Sequence, residues 1–211
     1  MSADDSARDV DRVEAVIDFW FGPMKDGLCS AEQRRAWFRA DPAFDARIRE
    51  RFGADIDDAL AGHLDRWSMI ARGRLALVVL LDQFTRNVHR GTARAWSGDA
   101  AAMELAREGV SRGDDRLLPA EQRLVLYLPF EHSESLADQN TCVHLVERLL
   151  GDQDPASEAA AVFEAYLRHA RAHQELIQRF GRFPHRNAAL DRESTPQERA
   201  WLAQDGRSFG Q

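Results

Sequence analysis

Cysteine is scarce in this chain: Cys29 and Cys142 are the two present, far apart and in no CxxC spacing. That excludes a disulfide framework or a zinc signature built on paired cysteines, and it fits a reducing compartment where both stay thiols. Long apolar runs are missing too. No stretch approaches the roughly 18 residues that a membrane helix needs, and the acidic opening MSADDSARDVDRVE has no apolar signal core. A soluble, cytoplasmic protein with no membrane partner is expected. Positive charge is not in excess either. The formal net charge of −7 at pH 7 argues against a broad phosphate-backbone footprint, and so against nucleic acid as a partner. Any anion site must be local. Strand-like alternation hardly occurs, and at repeat periods of about 34 to 47 residues there is no tetratricopeptide, HEAT or armadillo consensus. No low-complexity segment or linker separates two domains.

What the chain has instead is helix punctuation. With 211 residues, 44% of them apolar, it can bury one substantial core, so a single all-helical domain over 1–211 is expected, frayed at 1–8. Gly22-Pro23 stops a first helix, Ser30 caps a second, and Asp41-Pro42 opens a third with an N-cap and a proline at its first position. Gly53 and Gly62 bracket a short helix, and a central one runs from about Arg66 to Val88. Arg90 to Trp96 reads as loop. Asp99, Pro119 and Ser133 begin further helices, with Pro129 to Glu134 as a turn. The longest surface helix is expected over Ala156 to Phe180, before Pro184 breaks helicity and Thr195-Pro196 caps a last short one. Together these signals predict an all-α protein of about nine or ten helices, joined as antiparallel hairpins in a stacked array or an irregular bundle.

One stretch, LALVVLLDQFTRNVHRG (Leu75 to Gly91), changes character halfway. Its first seven residues carry no polar side chain, so that half should be buried on all sides. In its second half Asp82 and Arg86, and Arg86 and Arg90, are spaced i, i+4, while Gln83 and Asn87 repeat the spacing alongside. Arg86 and Arg90 repel unless something negative lies between them. A ligand phosphate or carboxylate gripped by arginine forks is one candidate; an internal network with Glu131, Glu134 and Asp138 is the other. A second basic stretch, FGRFPHRN (Phe180 to Asn187), also sits where a helix gives way to loop.

Other constellations are weaker. Glu131, His132, Glu134 and Asp138 lack the HExxH spacing of a metal site, so capping and ion pairing explain them better. His169 and His173 share a helix face at i, i+4, but no third ligand is specified, and no metal is expected. Cys142 and His144, two positions apart, point away from each other, and Cys142 reads as core. There is no nucleophile elbow, phosphate loop or dinucleotide fingerprint, so no cofactor is expected.

Four motifs in order, VIDFWFG (Val16 to Gly22), LLDQFTRN (Leu80 to Asn87), YLPFEHSE (Tyr127 to Glu134) and RFGRFPHRN (Arg179 to Asn187), resemble those of the bacterial family known as domain of unknown function 924. The resemblance covers nearly the whole chain and implies an all-helical, tetratricopeptide-like fold. It implies no activity and no catalytic roles. Asp191 stands where the family pattern leads one to expect glycine; aspartate tolerates the left-handed conformation better than most residues, so the turn there can survive.

The expected site is thus a polar cluster of Arg86, Asn87, Arg90, Glu131, His132, Arg182, His185, Arg186 and Asn187. RNVHRG, PFEHSE and GRFPHRN are expected to converge, five arginines (86, 90, 179, 182, 186) then facing three carboxylates (131, 134, 138). A binding protein for a small anionic molecule or a peptide segment is the leading expectation. An enzyme using His132 or His185 as general acid/base on an anionic substrate is the second, and a purely structural charge cluster the third.

Overall fold

A computed structural model describes the backbone of residues 3–204, and the side chains of all of these except 3–6 and 38. It is all-α, with no strand among the described residues; Lys25 and Leu28 form an isolated bridge. The helices are α1 (Ala3–Phe21), α2 (Ala31–Phe38), α3 (Pro42–Leu60), α4 (Ala71–Val78), α5 (Thr85–Val88), α6 (Asp99–Arg112), α7 (Ala120–His132), α8 (Leu136–Gly151), α9 (Glu158–Phe180) and α10 (Pro196–Gln204). Their starts follow from local chemistry. Ser30 Oγ accepts from Gln33 N (3.1 Å), and the Asp41 carboxylate accepts from Ala43 N (2.9 Å) just before Pro42. Thr195 and Glu198 form a reciprocal capping box: Glu198 N donates to Thr195 Oγ1 (3.2 Å) and Thr195 N to Glu198 Oε2 (2.6 Å).

Several boundaries differ from those expected. Residues 3–8 are helical rather than frayed, while 1 and 2 lie outside the described residues. Gly53 does not end α3, because buried Phe52 and Ile56 on either side hold the turn in register. The central helix starts at Ala71, after a 3-10 turn over Asp65–Met69, and another 3-10 turn occupies Ala93–Trp96 within the expected loop. Pro129 does not open a turn at all. It sits inside α7, which continues to His132 even though proline removes one intrahelical donor. Gln139 fixes the end of α7 by donating to the carbonyls of Glu131 (2.6 Å) and Ser133 (2.7 Å). α8 accordingly begins at Leu136, with Ser135 as its N-cap.

The chain forms two compact units, one holding residues up to Arg90 together with Arg94–Pro129, the other Gly91–Ala93 and residues from Phe130 onward. At the centre of the first unit lie Leu75 to Leu81, none more than 2% exposed. Burying a side chain of this size stabilises the fold by about 1.5–3 kcal/mol, which explains an apolar run with no solvent face. Beside it α1 and α3 supply aromatic rings that meet Phe84: Phe52 at 5.1 Å between centroids, Trp20 at 5.6 Å and Phe19 at 5.9 Å.

Between α4 and α5 the rod makes one wide π turn, Val79–Phe84, where Thr85 N bonds to Leu80 O, five residues back. The carbonyls displaced from the α register find side chains. Thr85 Oγ1 donates to Leu81 O (2.6 Å) and Arg86 Nη1 to Asp82 O (2.5 Å). Gly98 packs so closely on this turn that a Cβ there would lie 2.3 Å from Leu81 O.

In the second unit α8 and α9 pair as an antiparallel hairpin: Gln174 donates to Asn140 and Arg171 to Glu147, each at 2.8 Å, so residue numbers rise along one helix as they fall along the other. Gly181, at φ 69°, ends α9 in the left-handed conformation. The chain then turns back to pack Phe183 and Trp201 against Leu176 and Ile177. Asp191 adopts φ 52°, the left-handed turn expected of it.

Candidate ligand-binding site

In the first unit, every cationic side chain of the RNVHRG stretch that was named as a candidate meets an aspartate. Buried Arg86 reaches Asp82 Oδ1 (2.9 Å) and Asp99 Oδ1 (3.0 Å). Arg90 Nε donates to Asp45 Oδ2 (2.7 Å), and Asn87 Nδ2 to Asp45 Oδ1 (2.7 Å). The negative charge that separates Arg86 from Arg90 is therefore Asp82 and Asp99 on one side and Asp45 on the other. The i, i+4 pair Asp82–Arg86 was legible in sequence; Asp45, 42 and 45 residues from its partners, was not.

In the second unit PFEHSE and GRFPHRN do come together. Glu134 accepts from Phe183 N (2.8 Å) and from both terminal nitrogens of Arg192 (2.7 and 3.0 Å). Burial pushes the Glu134 carboxyl up, but the Arg192 guanidinium and the Phe183 N–H outweigh it and leave the group below its ordinary value. No local pattern pointed to Arg192, 58 residues away.

Phe183 is the hub. The Arg186 guanidinium stacks over its ring at 4.4 Å, His185 lies at 5.5 Å and His173 at 5.6 Å, with His132 6.4 Å from His173. The PHR turn (Pro184–Arg186), 3-10 in conformation, places His185 and Arg186 there. The last turn of α7 brings Glu131 and His132, and α9 brings His173. His173 contacts the His169 carbonyl through Nδ1 (2.9 Å) and has Glu131 Oε1 at 3.4 Å. Of the His169/His173 pair only His173 is buried, and His169 contributes its carbonyl rather than its ring. Among the described residues no three His, Cys, Asp or Glu side chains are placed to hold a metal.

The electrostatics of this cluster follow from burial next to positive charge. Desolvation, opposed by the His169 carbonyl and reinforced by His132 and Arg186, pushes His173 down to about 3. Burial and then Arg186 push His185 down to about 3 as well. Both rings are neutral at pH 7. Cys142 is fully buried, its thiol pushed well up by desolvation and by Glu131, as a core cysteine should be.

The remaining candidates are Arg182 and Asn187. Arg182 donates to both carboxylate oxygens of Glu198 (2.7 and 2.8 Å) and so braces the α10 cap. Asn187 Nδ2 donates to Ser194 Oγ (3.1 Å), while the other end of its buried amide has no hydrogen-bond partner among the described residues.

The profile of a family of bacterial proteins of unknown function matches residues 16–206 of the chain. A solved structure of a protein of unknown function from Agrobacterium tumefaciens is similar over 92% of this chain and 97% of its own, at 37% identity and a TM-score of 0.76. None of the curated proteins matches.

Proposed function

The chain belongs to the bacterial family termed domain of unknown function 924, a name that assigns no activity, and we propose from its own residues that the second unit binds a small anionic ligand at the Phe183 cluster. The observation that carries this is the Arg186 guanidinium, held 4.4 Å over the Phe183 ring with His173 and His185 against the same ring. Next to it in the chain Asn187, 1% exposed, leaves its amide oxygen Oδ1 unmet among the described residues, a buried acceptor worth about 1–3 kcal/mol that a hydroxyl or acid O–H carried by the anion would satisfy. Arg186, held flat on Phe183, offers an oriented fork for a carboxylate or phosphate. His132 and His185 stand at the half-buried edge, and Glu131 keeps its contact to His173.

Arg86, Asn87, Arg90 and Arg182 do not enter this proposal, because Asp45, Asp82, Asp99 and Glu198 already answer them. A small molecule suits the site better than a peptide segment, since the His173 and His185 imidazoles and the Arg186 guanidinium all gather around one phenyl ring. Binding is also favoured over catalysis at His185. A ring held at about 3 accepts or donates a hydrogen bond at neutral pH but carries no proton to give as a general acid. Two buried free cysteines support the cytoplasmic setting.

An anion beside His185 would raise its pKa, so binding should take up protons and tighten as pH falls from 7 to 5. Thermal-shift titrations with sulfate, orthophosphate and citrate, against chloride at equal ionic strength, test the site; sulfate keeps its charge across that range. Wild type should gain about 2.7 kcal/mol at a hundredfold excess over Kd, and Arg186→Lys should lose most of the gain. If no anion exceeds the chloride baseline, or the variant responds like wild type, the cluster is an internal scaffold.

A further inference from the structure

Beside the Arg186 guanidinium, two neutral polar groups of the second unit are hydrogen-bond acceptors. Asn187 closes the Pro184–Arg186 turn, its N–H donating to Pro184 O (3.1 Å) and its carbonyl accepting from Arg192 N (2.8 Å). The same Arg192 sends its guanidinium to Phe183 O (3.2 Å), so Asn187 and the ring that carries Arg186 are tied to one residue. With the backbone of Asn187 bonded on both sides and its Nδ2 given to Ser194 Oγ (3.1 Å), Oδ1 is left as a buried acceptor in a fixed place. His173 supplies the second acceptor. Its Nδ1 faces the His169 carbonyl, which can only accept, so Nδ1 carries the hydrogen and Nε2 of the neutral ring presents a lone pair.

An anion with no hydrogen to give meets Arg186 but leaves these acceptors as they are. Carboxylate, sulfate and ketone oxygens are acceptors themselves, and one of them set against Oδ1 is repelled by it. An O–H carried beside the charged group answers both needs, with the charged oxygens on the fork and the hydrogen on the amide. A carboxylate with a hydroxyl on the neighbouring carbon is a minimal organic anion of this kind. We propose, building on the anion site described under the proposed function, that the cluster selects a small hydroxy acid, its carboxylate held by Arg186 and its hydroxyl donating to Asn187 Oδ1.

Calorimetric titration of the whole protein at pH 7 and constant ionic strength with lactate, pyruvate and propionate tests this, because the three are monoanions of equal chain length that differ at one carbon. Lactate should bind about two- to tenfold more tightly than propionate, the range of one hydrogen bond, and pyruvate no better than propionate. Asn187→Leu should bring lactate down to the affinity of propionate and leave propionate within about twofold of wild type. The melting temperature reports whether that variant folds, and the wild-type series decides the matter without it. Equal binding of lactate and propionate, both above a chloride baseline, would keep the Arg186 site and overturn the hydroxy-acid class, whereas silence from every anion would overturn both. Pyruvate ahead of lactate would mean that the amide turns its N–H2 to the ligand, and overturns the proposal too. Hydrogen phosphate against sulfate puts the same question to a tetrahedral anion: phosphate ahead of sulfate with lactate level with propionate would assign the O–H to a phosphate and refute the hydroxy acid.

Discussion

His173 allows a sharp test, because the sign of its effect depends on whether burial or its acidic neighbour decides its charge. The ring is 6% exposed and held at about 3 by desolvation, against 6.5 in the unfolded chain. A histidine with a depressed folded-state pKa is neutral in the native state between pH 3 and 6.5 but protonated in the unfolded state, so stability falls as pH falls through that window. From pH 7 to pH 5 the loss is RT times the logarithm of the ratio of unfolded to folded binding polynomials, about 2 kcal/mol, and at pH 5 it hardly changes if the folded value is 4 instead of 3. Urea denaturation of wild type and His173→Phe at pH 7, 6 and 5 isolates this one group, since His185 contributes with the same sign to both. The variant should be less pH-dependent by about 2 kcal/mol over the range. If instead Glu131, at 3.4 Å, kept the ring protonated, wild type would gain stability relative to the variant on acidification. A difference of zero or of that opposite sign refutes the argument.

Two further outcomes test the core of the first unit. Leu80→Ala, at a fully buried position, should cost about 2–5 kcal/mol in chemical denaturation; a loss below about 1 kcal/mol would mean the run does not organise the core. Gly98→Ala should destabilise by about 1–3 kcal/mol, since its methyl would meet the Leu81 carbonyl and cannot be accommodated by a rotamer change; an unchanged melting temperature would deny the close packing on the π turn.

How far the sequence could be read depended on distance along the chain. Caps such as Ser30, Asp41 and Thr195 announce themselves within three residues, and the buried run Leu75–Leu81 is legible from composition alone. Pro129 misled because its local preference was overridden: α7 is buried on several sides over Leu124–Leu128, and Gln139 secures its end from another helix. The site divided in the same way. Arg186, Asn187, His132 and His185 could be named from their motifs, and Glu134 meets the second motif as expected. Arg192, Asp45 and Asp99, which decide which arginines are already satisfied, are remote in sequence or lie in segments with no distinctive pattern. Charge arithmetic over motifs alone counted five arginines against three carboxylates because it could not see these partners.

The π turn bears on how insertions and deletions act in this protein. A helix advances by about 100° per residue, and the wide turn absorbs one extra residue so that positions beyond Phe84 keep the bearing they would have on a plain α-helix one residue shorter. Removing one residue between Val79 and Phe84 would turn the Thr85–Leu80 bond into an ordinary four-residue one and leave Asn87 and Arg90 directed at Asp45. Removing one from the regular turns of α4 instead would swing both about 100° away from that aspartate. A single-codon deletion is thus absorbed at the π turn, whereas elsewhere along the rod it acts as a rotation whose damage is felt on α3.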